Sequence, residues 1–271
     1  MPELPEVEIV CRELRTHSVN FSIHNCFYSG KKFKRVIPDL NQIIGQTIKS
    51  IHRRNKYIVL ELDSFWLVFH LGMTGRLILK EDSNIRKHEH IILYDKQKNG
   101  IFFEDPRRFG SVDLFLKSQY LNYKTIPLFE KLGYEPLEDT FTFESFIKLT
   151  GIKNNIKKFL MDAQYVCGIG NIYASEILFL SQVSPLRLVS SLTKNEKKKI
   201  YQNIKKVLTK AIELGGSSIS DFVHTNGLKG EMQNFYKVYG LGGKPCFDCG
   251  SNINRLTQNG RGTYFCSTCQ K

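Results

Sequence analysis

Residues 246–271 read CFDCGSNINRLTQNGRGTYFCSTCQK, and the spacing of their cysteines specifies a small metal-bound fold. Cys246 and Cys249 form one C-x2-C pair, and Cys266 and Cys269 form a second. Each pair is typical of a tight turn that aims two sulfurs at one point, and four thiolates complete the tetrahedral shell that zinc prefers. Two disulfides or four free thiols are the alternative, but so short a segment needs metal binding to supply its folding free energy. Because every ligand is a cysteine, no coordination position remains for substrate, and the sequence predicts one structural Zn2+.

The segment between the two cysteine pairs predicts a cationic hairpin. Asn259-Gly260 is the strongest short hairpin signal, and it places Arg261 at the tip of two strands. A rigid cationic tip suits a phosphate group. The whole chain carries a formal net charge of +13, and nucleic acid is the commonest polyanion that attracts basic proteins. A lysine-rich solvated surface is the alternative explanation of the charge. The sequence therefore favours nucleic acid as the partner.

The composition bounds the class of protein. A chain of 271 residues suffices for two ordinary domains and a small appendage, and 41% hydrophobic with 24% charged residues fits a soluble globular protein. No apolar run approaches the roughly 18–20 residues that cross a bilayer, and the N-terminus lacks the features of a signal peptide. We therefore expect a cytoplasmic protein with no membrane partner. Three scattered cysteines are expected to be buried small hydrophobes in a reducing cytosol: Cys11, Cys26 and Cys167.

Regions of different periodicity follow one another along the chain. Residues 5–18 predict a short helix, and residues 20–118 carry short β-rich segments as in a β-sandwich. Those segments are 48–52, 57–62, 66–70, 76–79, 91–94 and 101–104. A capping box at 193–196 opens a long helix with a solvated, lysine-rich face, and Gly215-Gly216 ends it. The predicted α+β multidomain organisation is an N-terminal β-sandwich at 1–120, a linker at 121–140, a helical domain at 141–240 and a zinc ribbon at 241–271.

The start of the chain carries a candidate nucleophile. Methionine is normally removed before a small second residue, and removal of Met1 leaves Pro2 with a free secondary amine. An α-amine has a pKa of roughly 7.7–8, so it is nucleophilic near neutral pH. Its attack on a sugar C1′ gives a cationic iminium, and Glu3 and Glu6 lie close enough in sequence to carry protons. Acidic residues that only favour the positive end of a helix dipole are the alternative, and a retained Met1 blocks the chemistry.

Seven short motifs occur along the chain in a characteristic order. They are PELPEVE at 2–8, RRNKY at 53–57, HLGMTG at 70–75, KHEH at 87–90, DPRRFG at 105–110, GIGNIYASE at 168–176 and GGSSI at 215–219. Together with the four-cysteine ribbon, they resemble the formamidopyrimidine-DNA glycosylase family of bacterial base-excision repair enzymes. The resemblance spans the chain and implies a β-sandwich with flanking helices, a helix–two-turn–helix domain and the ribbon.

The resemblance also implies roles for catalytic residues. Pro2 takes the place of the family's N-terminal nucleophile, and Glu3 and Glu6 take those of its acid and base partners. Lys56 falls on the catalytic lysine, whose ammonium can protonate a leaving group or bind phosphate. Arg261 falls on a phosphate clamp at the hairpin tip.

For DNA binding, the resemblance implies three residues that fill the space left by an extruded nucleotide. They are Met73, Arg107 and Phe109, and the neighbouring Arg108 competes with Arg107 for its role. Methionine and phenylalanine are apolar wedges, and arginine donors match the acceptors O2 and N3 of cytosine. Further DNA contacts are implied for His70, His90, Lys157, Asn171 and Tyr239, with Asn171 opening a helix whose N-terminus suits phosphate. Residues 217–235 are expected to form a flexible lid over the flipped base.

The expected function is that of a bifunctional DNA glycosylase/AP lyase. It removes oxidised purines, chiefly 8-oxoguanine opposite cytosine and formamidopyrimidines, through a Pro2 Schiff base and β,δ-elimination. The partner is double-stranded DNA that contains oxidised bases or abasic sites, and we expect a monomer. One rival is the endonuclease VIII-like branch, which prefers oxidised pyrimidines; Leu4 and Val7 favour the purine branch. The other rival, a non-catalytic DNA-binding protein, is disfavoured by the presence of Pro2, Glu3 and Lys56.

Overall fold

The computed structural model describes residues 1–81, 84–218, 225 and 227–271, and it divides into two compact units. The first unit contains residues 1–130 and 215–231, and the second contains 131–214 and 232–271. The described residues within 215–231 therefore group with the N-terminal region, whereas the sequence prediction assigned this stretch to the helical domain. Helix periodicity ends at Gly215-Gly216, but only long-range hydrogen bonds determine which unit the following segment joins.

Besides four short 3-10 helices, the first unit is built, within the described residues, from one α-helix and eight strands. They are α1 (Leu4–Ser18), β1 (Asn25–Tyr28), β2 (Ser50–Arg54), β3 (Tyr57–Glu61), β4 (Phe65–His70), β5 (Arg76–Lys80), β6 (Glu89–Tyr94), β7 (Gly100–Glu104) and β8 (Ser111–Leu116). The strands form two four-stranded antiparallel sheets, in the orders β1-β6-β7-β5 and β2-β3-β4-β8. This arrangement confirms the predicted β-sandwich.

Apolar side chains from both sheets and from α1 meet in one core. The stripe predicted on α1, Val7, Val10 and Leu14, is at most 1% exposed and packs in this cluster. Phe69 of β4 and Phe103 of β7 meet within it, with ring centroids 5.6 Å apart. Burial of each such side chain contributes about 1.5–3 kcal/mol. The core thereby fixes the helix that begins beside Pro2 against the sheets.

The six predicted strands occur within about two residues of their expected bounds, whereas β1 and β8 were not singled out. The burial of β1 does not alternate, since its central residues are half-buried and its ends exposed. Its four residues are held by pairing with β6, from Asn25 opposite Tyr94 to Tyr28 opposite Ile91. The partner strand is distant in the sequence, and local periodicity therefore does not reveal this edge strand.

The second unit combines helices with a C-terminal hairpin. Its elements are α2 (Phe143–Leu149), α3 (Ile156–Met161), α4 (Asn171–Leu180), α5 (Lys194–Glu213), β9 (Asn254–Gln258) and β10 (Arg261–Phe265). The predicted capping box is present at the start of α5, where Glu196 N donates to Thr193 Oγ1 over 3.2 Å. Asn259 and Gly260 both have positive φ between β9 and β10, as the predicted hairpin turn requires. No helix among the described residues is both long enough and apolar enough to cross a membrane.

Candidate active site and nucleic-acid interface

Pro2 and its two acidic neighbours lie buried at the start of α1. Glu3 is 3% exposed and Glu6 is 2% exposed. Glu6 Oε2 accepts a hydrogen bond from Glu3 N over 2.8 Å, as in a helix capping box. Its other oxygen, Oε1, accepts from Ser217 N over 2.8 Å. The Glu6 carboxylate thus connects the backbone beside Pro2 to residue 217, and its two oxygens are engaged as acceptors.

Lys56 lies in the tight turn between β2 and β3, next to Asn55. Asn55 is 8% exposed and has a φ of 55°, in the left-handed region that asparagine tolerates. Arg53 Nη1 donates to the Asn55 carbonyl over 3.0 Å, and Arg53 Nε donates to Glu8 Oε2 over 3.0 Å. The Arg53 side chain is only 8% exposed. A partly buried ion pair therefore joins α1, which begins beside Pro2, to the turn that carries Lys56.

Several arginines stabilise the negative charge of the Glu8 carboxylate. Its Oε1 accepts from Arg12 Nε and Arg15 Nη1, each over 3.1 Å. Burial acts to raise the pKa of the Glu8 carboxyl, but the charges of Arg53 and Arg15 outweigh it and leave the pKa below its usual range. Glu8 is therefore ionised at neutral pH and serves as a fixed anion at this junction.

His70 ends β4 at the start of the HLGMTG turn. Its Nδ1 accepts a hydrogen bond from Gly72 N over 3.1 Å, and its ring lies 4.8 Å from the Tyr57 ring. Burial, with the Lys56 and Arg35 charges, lowers the pKa of His70 to about 4. The neutral ring carries its proton on Nε2, since Nδ1 is the acceptor, and Nε2 is the atom that can donate to a phosphate.

Met73 and Phe109 are large apolar side chains that stay exposed, at 43% and 46%. Arg107 is also exposed, and its guanidinium Cζ stacks 4.5 Å from the centre of the Phe109 ring. Arg108 has a φ of 54°, and its Nε donates to the Lys32 carbonyl over 3.1 Å. Because Arg108 is directed to Lys32 and Arg107 stacks on Phe109, the geometry favours Arg107 for the predicted pairing with cytosine.

His90 lies in the sandwich and is 3% exposed. Its Nδ1 lies 2.9 Å from Ser29 Oγ, and its ring meets Phe33 edge-on at 5.4 Å. Burial, followed by the Arg108 charge, lowers the pKa of His90. A ring so deeply buried offers little surface to DNA, so the predicted contact stays a prediction and the structure shows a packing role.

In the second unit, two residues with predicted DNA contacts, Asn171 and Lys157, bind the zinc hairpin. Asn171 is the first residue of α4, and its Nδ2 donates to the Gly262 carbonyl over 2.9 Å. Lys157 is 2% exposed, and its Nζ donates to the same carbonyl over 3.2 Å and to Thr263 Oγ1 over 2.7 Å. Both residues therefore donate hydrogen bonds to the backbone directly after Arg261. Arg261 itself is exposed and lines an open cleft of about 320 Å³ beside Lys158.

Tyr239 is positioned by a buried carboxylate that the sequence did not reveal as functional. Glu176 on α4 is 2% exposed and accepts hydrogen bonds from the backbone N–H groups of Lys237, Val238 and Tyr239, over 2.8, 3.0 and 2.8 Å. Burial raises the pKa of Glu176 above its usual range, against these donors. The Tyr239 ring then packs against Tyr264 of β10 at 5.3 Å. An acidic residue inside the apolar run NIYASEILFL was the signal that could have indicated this role.

The four C-terminal cysteines form a metal site. Their sulfurs all lie within 4.8 Å of one another, with Cys249 Sγ and Cys266 Sγ 3.4 Å apart and Cys246 Sγ and Cys269 Sγ 3.9 Å apart. Zn–S bonds of about 2.3 Å in a tetrahedron place sulfurs about 3.8 Å apart, so the site fits one zinc ion. With four thiolates bound, the zinc is structural.

Other predicted elements are only partly described. Of the predicted lid at 217–235, residues 219–224 and 226 lie outside the described part of the chain. Thr225 N donates to Glu13 Oε2 of α1 over 2.7 Å, and Gly230 N donates to Ser218 Oγ over 3.0 Å. The described part of this segment is thus tied to the first unit.

Comparison with known proteins gives one family for the whole chain. Three family models match: Formamidopyrimidine-DNA glycosylase N-terminal domain over residues 1–112, Formamidopyrimidine-DNA glycosylase H2TH domain over 132–223, and Zinc finger found in FPG and IleRS over 243–271. A formamidopyrimidine-DNA glycosylase of Wolbachia pipientis subsp. Culex pipiens (strain wPip) is 41% identical over 100% of both chains. The Fpg of Lactococcus lactis, solved with DNA that contains an abasic site, is 34% identical over 99% of each chain, with a TM-score of 0.89. A mutant of that enzyme with Fapy-dG DNA gives 35% identity over 100% of each chain and a TM-score of 0.89. The chain therefore belongs to the formamidopyrimidine-DNA glycosylase family of DNA repair enzymes.

Proposed function

We propose that this enzyme excises oxidised purines from double-stranded DNA and then cleaves the resulting abasic site, with Pro2 as the nucleophile. The observation that carries the proposal is the buried position of Pro2 beside the buried Glu3; removal of Met1 turns the Pro2 nitrogen into a free secondary amine at this position. The relatives solved with abasic-site and Fapy-dG DNA support the class of substrate. The proposal includes the prediction that the enzyme acts as a monomer in the cytoplasm.

The chemistry follows from an amine attack on C1′ of the damaged nucleotide. The bond from Pro2 N to C1′ forms as the bond from C1′ to the base breaks, and the base leaves with a proton. Ring opening then gives an iminium between Pro2 and C1′. Loss of a C2′ proton expels the 3′ phosphate, a second elimination expels the 5′ phosphate, and water releases Pro2.

The protein groups have distinct parts in this sequence. Glu3 adjoins Pro2 in the chain and is the candidate for proton transfer, whereas Glu6 accepts backbone hydrogen bonds through both oxygens and holds the surrounding backbone in place. Lys56 supplies an ammonium for a leaving group or a phosphate. Arg261 and the N–H groups at the start of α4 bind backbone phosphates. Met73, Arg107 and Phe109 replace the extruded nucleotide in the stack.

Borohydride trapping on an 8-oxoguanine:cytosine duplex tests the proposal. Protein with Met1 removed, verified by its mass, is expected to give a covalent adduct that Pro2→Gly abolishes. Glu3→Gln is expected to stop base excision but to keep trapping on a preformed abasic site, where no base must be protonated. A duplex with an oxidised pyrimidine tests the rival branch, since one relative was solved with such DNA. If the processed enzyme gives no covalent adduct with any of the three duplexes, the proposal is overturned.

A further inference from the structure

Two turns of the first unit touch each other through their backbones. One carries Met73 and follows β4; the other carries Arg107 and Phe109 and precedes β8. Gly72 has a φ of 60°, and a Cβ on it would lie 2.6 Å from Gly110 N and 2.6 Å from the Phe109 carbonyl carbon. Any side chain at residue 72 would collide with backbone, so the contact needs glycine in addition to its positive φ.

A buried carboxylate fastens these two turns together. Asp105 is 0% exposed. Its Oδ1 accepts from Thr74 Oγ1 over 2.6 Å and from Arg107 N over 3.3 Å, and its Oδ2 accepts from Gly110 N over 2.8 Å. Asp105 thereby binds the residue after Met73 and the backbone on both sides of Phe109.

Thr74 completes the link from the other side. It is 7% exposed, and its Oγ1 donates to Asp105 while it accepts from Arg107 N over 3.4 Å. A single hydroxyl next to Met73 therefore touches the Arg107 backbone. None of these hydrogen bonds includes the exposed Met73, Arg107 or Phe109 side chains.

We propose that Asp105 and Thr74 are positioning residues that set the spacing between Met73 and the Arg107–Phe109 stack, and through it the selectivity for the base opposite the lesion. This inference rests on the proposed function, in which those three side chains enter the duplex. Arginine offers only donors, which match cytosine O2 and N3, whereas the adenine edge presents its N6 donor to them. Discrimination between cytosine and adenine requires the Arg107 guanidinium to be held in a fixed position, because a displaced guanidinium can contact either base. The buried hydrogen bonds are shielded from water, so the spacing is set before DNA binds.

The test compares Thr74→Val with Thr74→Ser. Valine keeps the shape and removes the hydroxyl, whereas serine keeps the hydroxyl and removes a methyl group. The measurement is single-turnover excision of 8-oxoguanine opposite cytosine and opposite adenine. We expect Thr74→Val to narrow the cytosine-to-adenine rate ratio about fivefold, the factor that corresponds to one net hydrogen bond, and Thr74→Ser to keep the wild-type ratio.

Two further measurements separate positioning from general destabilisation. In a Phe109→Ala background, Thr74→Val is expected to change the ratio no further, because the stack it positions is absent. Asp105→Asn serves if Thr74→Val does not fold, and it is expected to narrow the ratio in the same direction. An unchanged ratio in the folded variant, or equal losses opposite both bases, overturns the inference. Absence of excision by the wild-type enzyme overturns the proposed function instead, so the two failures are distinguishable.

Discussion

Glu6 Oε1 accepts a hydrogen bond from Ser217 N over 2.8 Å, although the two residues are 211 positions apart in the sequence. The same carboxylate accepts from Glu3 N through its second oxygen. Gly216, directly before Ser217, packs so closely that a Cβ there would lie 3.1 Å from Glu6 Oε1. The segment after α5 is thus anchored, through the Glu6 carboxylate, to the backbone of Glu3, the residue next to the proposed nucleophile.

Glu6→Gln is expected to lower both stability and activity. An amide has one acceptor oxygen where the carboxylate has two, so its NH2 group faces one of the two backbone donors. An unsatisfied buried donor costs about 1–3 kcal/mol. The free energy of unfolding measures this cost, and the pH dependence of excision tests the role. If Glu6 only positions its neighbours, Glu6→Gln lowers the excision rate and leaves the shape of its pH profile unchanged. If one limb of that profile disappears, Glu6 is a proton carrier instead.

Glu13→Gln is the matched control for that experiment. Glu13 Oε2 accepts from Thr225 N in the same segment, and a glutamine oxygen can accept the same bond. Because Glu13 is only half-buried, water can satisfy a donor that the amide leaves unpaired, and we expect Glu13→Gln to have a clearly smaller effect than Glu6→Gln. Equal effects of the two substitutions contradict the two-acceptor explanation.

Arg53→Met is expected to destabilise the protein by about 2 kcal/mol, because it removes a charge-assisted hydrogen bond to the partly buried Glu8. It also removes the donor to the Asn55 carbonyl, so abasic-site cleavage should slow through displacement of Lys56. The control is Arg12→Met, since Arg12 binds the same Glu8 carboxylate but its side chain is 60% exposed. That substitution should cost less than about 1 kcal/mol. Chemical denaturation and cleavage of a preformed abasic site measure both effects, and equal costs at the two arginines contradict the assignment.

Arg261→Ala is expected to weaken binding to all duplexes and to flatten the dependence of log K on log salt by about one unit. Arg261→Lys keeps the charge and should keep the slope while losing the bidentate geometry. A loss confined to lesion-containing DNA contradicts a phosphate contact.

Lys157→Met separates phosphate binding from support of the hairpin. Lys157 is buried and donates to Gly262 and Thr263, so we expect weaker DNA binding with an unchanged salt slope. A slope that falls by about one unit, as for Arg261→Ala, shows that Lys157 meets phosphate directly.

Removal of zinc is expected to unfold the ribbon and to loosen α4. Cys246 and Cys266 share a small apolar cluster with Phe179 of α4, Val238 and Ile253. Metal binding supplies the folding free energy of such a segment. A strong chelator should therefore raise hydrogen exchange at Val238 and abolish DNA binding, and added Zn2+ should restore both. Cys249→Ser should have the same effect as chelation, whereas Cys26→Ser, outside the metal site, should not. If Val238 stays protected from hydrogen exchange after zinc is removed, the proposed link between the ribbon and α4 is contradicted.

His70 makes stability depend on pH in the acidic range. Its pKa is about 4 in the folded protein against 6.5 as the ordinary value, so between these values the unfolded chain binds more protons. Stability contributed by the neutral ring is fully present above pH 6.5 and is lost as the pH falls towards 4, by about 3 kcal/mol at most. His70→Gln should flatten this part of the curve of unfolding free energy against pH. His24→Gln, at an exposed position, is the control, and identical curves for His70→Gln and wild type contradict the assignment.

The candidate residues of the site could be named from the sequence because each rests on a residue type or on a short spacing. The zinc ligands follow from two C-x2-C pairs, and the hairpin turn follows from Asn259-Gly260. The family motifs indicated Pro2, Lys56 and Arg107 at once. The supporting residues were not predictable in the same way. Asp105 and Glu176 stand inside quoted motifs, but nothing local shows that their carboxylates bind the backbone of distant turns.

The sequence by itself determined the metal site, the order of the sandwich, helical region and ribbon, and the candidate nucleophile, since each depends on local composition, periodicity or spacing. Only the tertiary structure decided that the described residues within 215–231 join the first unit and that Arg107 rather than Arg108 stacks on Phe109. It also decided that Lys157 and His90 are buried. These properties depend on hydrogen bonds and packing between residues far apart in the chain, because burial and long-range pairing arise only when the elements come together.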